Sequence, residues 1–245
     1  MSGDRVNIMK LFSKTDIGLM RESNQDRFFI KKYENNSVLF AVADGVGGYS
    51  GGDIAAENTI KILEGFNPDN VSDGAADRLC DLIALAHRKI CDMADKNSSL
   101  KNMGTTLAMG WILGKRLYWA YVGDTRIYLF RKGTLLPLTR DHTIPGLLLK
   151  EGEITREQAR NHPMSHGILK CIGGRDAKPD TGECSLMNGD ILFACSDGLH
   201  GMVRDEKMTQ IMLQEKNPDR MVEALVYLAL KSGGDDNITI AGVQL

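Results

Sequence analysis

Paired cysteines are the first thing this chain lacks. Its five cysteines, Cys80, Cys91, Cys171, Cys184 and Cys195, are odd in number, and no C-x-x-C pair occurs among them. That argues against a disulfide framework or a zinc ribbon, and for buried reduced thiols. Proline is scarce, with six in 245 residues. No Pro/Ser-rich linker, low-complexity tract or internal repeat divides the chain, so it reads as one domain over residues 1–245. Neither sign of charge is in excess: 30 Lys and Arg against 32 Asp and Glu give a net charge of -2. A field able to hold nucleic acid or an anionic membrane is therefore missing. No apolar run approaches the ~18 residues of a membrane span, and MSGDRVNIMKLFSKTDIG at the start has no signal-peptide core. These absences point to a soluble cytoplasmic protein, a monomer by default.

What is present is a series of short apolar runs. Strand patterns occupy 27–33, 37–43, 105–113, 116–122, 126–133, 134–138, 181–187, 190–196 and 237–245, about nine in all. Their short breaks suit hairpin meanders. LYWAYV and ILFACS are apolar at nearly every position, as in strands covered on both faces. Helical periodicity marks 52–65 and 72–97, where Leu79, Leu82, Ile83, Ala86, Ile90 and Met93 share one face. A later pair, 205–215 and 218–232, carries Met221, Leu225 and Leu228 on one face. Antiparallel meanders interrupted by two helical pairs predict a layered α+β domain. Residues 140–178 show weak strand signal and one short helix pattern at 155–162. A connection that long is often functional.

The aspartates fall at the ends of these strands. Asp26 opens one strand, Asp44 closes VLFAVA, Asp124 lies in VGDTR, Asp197 in CSDG, and Asp236 precedes the last strand. Asp and Gly are turn formers and collect at strand ends anyway, but all five acids follow one pattern. Asp44 and Asp197 each end a continuous apolar strand, which places them deep in a cleft. Clustered carboxylates cannot all stay ionised without a counter-charge. Oxygen ligands without His or Cys suit Mg²⁺ or Mn²⁺, and several carboxylates fit two ions better than one. Gly45 leaves room for a backbone carbonyl to serve as a ligand. Two such ions are a common device for hydrolysing phosphate esters. Arg21, five residues before Asp26, offers the two-pronged cation that grips phosphate.

GLMRESNQD (18–26), VADGVGG (42–48), MGTTL (103–107), VGDTR (122–126), TRDHT (139–143), ACSDGL (194–199) and GGDDNIT (233–239) stand in the order and spacing of a known family. On these motifs the chain resembles the PPM/PP2C metal-dependent protein serine/threonine phosphatases, in their compact bacterial form. The resemblance implies a four-layer αββα fold, with a central antiparallel β-sandwich flanked by helical pairs and a flap near 140–178. It implies hydrolysis of phosphoserine and phosphothreonine monoesters by metal-activated water, without a phosphoenzyme. Asp44 would bridge two Mn²⁺ or Mg²⁺ ions and Gly45 would offer its carbonyl to one. Asp197 and Asp236 would hold the other, and Asp26 would act through water. Asp124 with Asp197 would form a weaker third site. Arg21 would bind the substrate phosphate, with Asn237 and Thr105 as supports. Phosphorylated targets of a cognate Ser/Thr kinase would be the partners. Val46 departs from the pattern, because many eukaryotic members carry histidine there as a proposed general acid.

Other readings are weaker. DGVGGYSGG misses the third glycine of a dinucleotide fingerprint at Ser50, and GWILGK lacks the Ser/Thr of a P-loop. His162 and His166 are four apart, but Pro163 and Gly167 break the shared helical face a zinc pair needs. Nothing in the sequence aims His142 at the acids, so it reads as structural. A non-catalytic regulatory or binding module of the same fold is the serious alternative. Loss of the acids would mark such a module, and all five are present.

Overall fold

The computed structural model describes residues 9–46, 51–69, 74–165 and 167–245. In chain order its elements are β1 (Lys10–Asp16), β2 (Arg27–Lys32), β3 (Val38–Ala43), β4 (Gly45–Val46), α1 (Gly52–Glu64), α2 (Ala75–Lys96), β5 (Gly104–Thr105), β6 (Leu107–Leu113), β7 (Arg116–Val122), β8 (Arg126–Arg131), β9 (Thr134–Pro137), α3 (Ile144–Glu151), α4 (Arg156–Arg160), β10 (Asp180–Ser185), β11 (Ile191–Cys195), α5 (Asp197–His200), α6 (Asp205–Gln214), α7 (Pro218–Lys231) and β12 (Ile238–Gln244). The strands form two five-stranded sheets, ordered β1-β12-β11-β8-β9 and β10-β7-β6-β3-β2, and a two-stranded ladder of β4 and β5. Every pairing is antiparallel.

Three apolar layers hold the stack together. Between the sheets, Phe40 and Ala108 from one meet Leu192 and Val243 from the other. On one outer face, α1 and α2 cover Leu39, Met109 and Trp111 through Leu63, Leu79 and Ile83. On the opposite face, α6 and α7 cover Phe193 and Ile240 through Met208, Met221 and Leu225. This is the αββα arrangement the motifs imply. It also explains the unbroken apolar strands: β3 and β11 are buried along their whole length because each faces a sheet on one side and helices on the other. Burying one such large side chain contributes about 1.5–3 kcal/mol.

Several expectations need correction. The described residues hold twelve strands rather than about nine. β1 is the added edge strand; only Phe12 of its seven residues is buried, so its apolar signal is thin. β4 and β5 are too short to read as strands. The helix placed at 72–97 is described from Ala75, and the pattern at 155–162 is the shorter α4. That helix is set by a capping box in which Thr155 and Gln158 bond each other's backbone N–H groups. A second helix, α3, stands where little structure is expected; Thr143 caps it by accepting from Gly146 N–H, with Pro145 in its first turn. Of the five free cysteines only Cys195 is buried; the rest are half-buried. Among the described residues no helix is long and apolar enough to cross a membrane.

Candidate metal centre

The registers bring the five acids to one end of the stack. Arg27 of β2 pairs with Ala43 of β3, so Asp26 and Asp44, one residue beyond that pair, leave the sheet side by side. In the other sheet Cys195 pairs with both Arg126 and Ile240. Asp124 and Asp197 lie two residues beyond that register, and Asp236 lies two residues before the start of β12. Cross-sheet bonds close the two ends on each other. Ser196 Oγ donates to Asp26 Oδ2 at 2.6 Å. Asn237 accepts from Gln25 N–H at 2.8 Å and donates through Nδ2 to the carbonyls of Ile17 (2.9 Å) and Ser23 (3.0 Å).

Each acid is held by its own local device. The Asp44 carbonyl accepts from Thr105 Oγ1 and from Thr106 N–H, both at 2.8 Å, which fixes the turn out of β3. Gly45 follows because the backbone of Gly52, at the start of α1, packs directly on it, where a Cβ would collide. Asp197 is the first residue of α5, not simply the end of a strand. The next residue, Gly198, lies against the Asn237 carbonyl with no space for a side chain. His200 closes α5 and its Nε2 meets the Asp124 carbonyl at 3.0 Å. His142 Nδ1 accepts from Gly123 N–H at 3.1 Å, and its ring stacks on Tyr121 with centroids 4.8 Å apart. It therefore braces the turn that carries Asp124, consistent with a structural histidine. His162 accepts from Met164 N–H, whereas His166 and the glycines at 47 and 48 lie outside the described residues.

The electrostatics record the crowding. Burial pushes the Asp26 carboxyl up to about 7, aided by the charges of Asp197 and Asp236. Burial raises Asp124 to about 8, with Asp197 adding to it. Asp44 is driven well above the carboxylate range by burial and then by Asp26, Asp197, Asp124 and Asp236. Asp236 is raised by burial and by Asp197. Asp197 acts on all four of the others, which makes it the electrostatic hub. Asp26 Oδ1 and Asp124 Oδ1 are buried without a hydrogen-bond donor among the described residues. Buried acceptors without donors, inside a set of mutually repelling carboxylates, fit a site that receives cations. Among the described residues no three of these side chains converge on one point closely enough to hold an ion by themselves. Carbonyls and water must complete the shell, as a hard divalent ion prefers.

Arg21 sits at the rim. Its guanidinium donates to Asp236 Oδ2 at 2.6 Å while its side chain stays 54% exposed. It is thus beside the acids, paired with one of them, and open to solvent. Sequence reasoning missed Ser196 and His200. Ser196 is adjacent to Asp197 in ACSDGL, and a hydroxyl between a buried strand and an acid is the one cue it offers.

Known proteins share this fold. Residues 21–226 match the family model described as Protein phosphatase 2C. The Streptococcus agalactiae serine/threonine phosphatase superposes with a TM-score of 0.89 at 34% identity, covering 97% of this chain and 100% of that one. Protein phosphatase PhpP of Streptococcus pneumoniae is 32% identical over 243 residues, 97% of this chain and 98% of that protein. The catalytic domain of the serine/threonine protein phosphatase PstP, solved in complex with two manganese ions, superposes with a TM-score of 0.85 at 30% identity, covering 96% and 97%. The chain spans 44% of the full length of Mycobacterium tuberculosis PstP. A family match over most of the chain, on a fold and a motif set that agree with it, means that the chain belongs to the protein phosphatase 2C family.

Proposed function

We propose that this protein is a metal-dependent protein serine/threonine phosphatase that hydrolyses phosphoserine and phosphothreonine monoesters. The observation that carries the reading is the set of five carboxylates at one end of the sandwich, mutually destabilised as anions, with an exposed arginine at their edge. Relatives named as serine/threonine phosphatases, one of them with two manganese ions, support it. The intact acid set disfavours a non-catalytic module.

Asp44, the Gly45 carbonyl, Asp197 and Asp236 would hold two Mn²⁺ or Mg²⁺ ions, with Asp26 acting through water. Asp124 with Asp197 would take a weaker third. Such a pair supplies charge neutralisation and water activation at neutral pH. Arg21 turns from Asp236 to bind two oxygens of the substrate phosphate. Ser196 is fully buried and bonded to Asp26, so it orients a ligand and does not attack phosphorus. Val46 has no proton to give, so the leaving alkoxide takes its proton from water in the cleft. The residues 140–178 would act as a flap beside the cleft. Phosphorylated proteins modified by a cognate kinase are the substrates, met by a cytoplasmic monomer.

Hydrolysis of para-nitrophenyl phosphate and of a phosphothreonine peptide should require Mn²⁺ and stop in EDTA. Absence of metal-dependent turnover on both would overturn the reading. Arg21→Ala should raise KM about tenfold and change kcat less, the mark of a lost charged hydrogen bond to phosphate. An unchanged KM would take Arg21 out of the phosphate site.

A further inference from the structure

Beside the acids lies a cleft of about 390 Å³ that the reaction does not use. Its lining includes Val46, two residues past Asp44, the exposed Lys101 and Arg175, the buried Met103 and the half-buried Cys171. Among the described residues no carboxylate lines it, and neither Lys101 nor Arg175 has an ion-pair partner. Asp176, next to Arg175, is occupied with the chain itself: its Oδ1 accepts from Lys178 N–H at 2.8 Å. Two cations without a carboxylate partner therefore face a pocket adjoining a cluster of five acids.

The walls are tied to the acid cluster by backbone. Val46 pairs with Gly104 and Gly45 with Thr105 in the β4–β5 ladder. Thr105 bridges onward to Ile172, with N···O distances of 3.0 and 2.9 Å. The next residue, Gly173, donates its N–H to His87 Nδ1 of α2 at 3.2 Å. One short ladder thus carries Gly45, the neighbour of Asp44, on one side and the segment leading to Arg175 on the other. An extended peptide advances about 3.3 Å per residue, and Val46 of the cleft stands two residues after Asp44, so the side chains to test against the cleft are those within three residues of the phosphorylated one.

We propose that the cleft is a specificity subsite for an anionic side chain, a carboxylate or a second phosphate, flanking the phosphorylated residue, with Lys101 and Arg175 as its cations. This rests on the phosphatase reading. The neutral, partly apolar base and the two cations select the charge of the flanking residue without touching the reacting phosphate.

The test uses Mn²⁺-loaded protein and phosphothreonine peptides carrying Ala, Asp, phosphoserine or Lys within three residues of the phosphothreonine. The wild type should prefer Asp or phosphoserine flanks over Ala by about fivefold in kcat/KM, the order expected of two exposed ion pairs. A larger ratio for phosphoserine would identify doubly phosphorylated segments as the natural source. Lys101→Gln/Arg175→Gln should bring the ratio near one, and Arg175→Glu should favour Lys flanks, with para-nitrophenyl phosphate turnover unchanged. Equal ratios in wild type and variants would overturn the subsite. A labelled peptide with a phosphonate in place of phosphothreonine and Asp flanks gives a separate readout by anisotropy. Its Kd should weaken about fivefold in the double variant even if turnover proves absent, and an unchanged Kd would overturn the subsite independently of the phosphatase reading.

Discussion

Asp44→Asn is expected to cut kcat/KM for para-nitrophenyl phosphate at least about a hundredfold while raising the melting temperature of the EDTA-treated protein. The two effects have one origin. Asp44 is half-buried and stands among Asp26, Asp124, Asp197 and Asp236, whose charges add to its desolvation in opposing its ionisation. Without a cation, folding must either protonate it or bury an unpaired charge. Asparagine keeps the shape and removes that cost. It also removes the carboxylate proposed to bridge two ions, and one electrostatic contact at a reacting centre is worth about 10²–10³ in rate. For a domain of this size about 1 kcal/mol corresponds to 2–4 °C, so a rise of about 2 °C or more is the expected reading. Loss of activity with a fall in metal-free melting temperature would mean that Asp44 has a structural role.

The metal-free protein should also lose stability as pH rises from about 6.5 to 8. A carboxyl whose folded pKa exceeds its unfolded value binds its proton more tightly in the folded state. Its contribution is complete below the unfolded value, near 3.8, and disappears as pH climbs through the folded value. Asp26 therefore loses its contribution up to about 7 and Asp124 up to about 8. Asp44 adds in the same direction. His200, buried and lowered to about 4, acts oppositely. It weakens the fold only where the unfolded imidazole protonates, below about 6.5, and the chosen window excludes that. For each such carboxyl, stability falls by about 1.4 kcal/mol per pH unit between its unfolded and folded values, so a drop of about 5 °C or more in EDTA is expected. With Mn²⁺ the trend should reverse, because ligands must lose their protons to bind metal. A flat metal-free profile would show that the five acids do not destabilise one another.

The layers were legible in the sequence because each layer writes its own period. β3 and β11 are continuously apolar, since both faces are covered, and α2 repeats Leu79, Ile83, Ala86 and Ile90 on one face. The meeting of the five acids was legible from their shared position at strand ends. β1 was not, because an edge strand with one buried residue carries no clear alternation. α3 was hidden for the opposite reason: Leu147 and Leu149 are exposed at 44% and 36%, so its apolar residues mark no buried face. Ser196 and His200 act through hydrogen bonds to groups 170 and 76 residues away in the chain, Asp26 and the Asp124 carbonyl, which no local pattern encodes. The glycine at 45 was legible as special, but one reason is its packing on Gly52, a contact between an acid-bearing turn and a helix start.

Asn237 joins the carbonyls of Ile17 and Ser23 to the start of the last strand, across 220 and 214 residues of chain. Asp26 likewise reaches Ser196 across 170. Contacts that distant form slowly, because the loops must close before anything rewards them. The acid cluster is therefore expected to form late in folding, after the helices and hairpins. Recovery of metal-dependent turnover after dilution from denaturant should trail the recovery of secondary structure, and a chain still being synthesised stays catalytically silent until β12 has docked. Activity in this protein is a clock that starts when the last strand arrives.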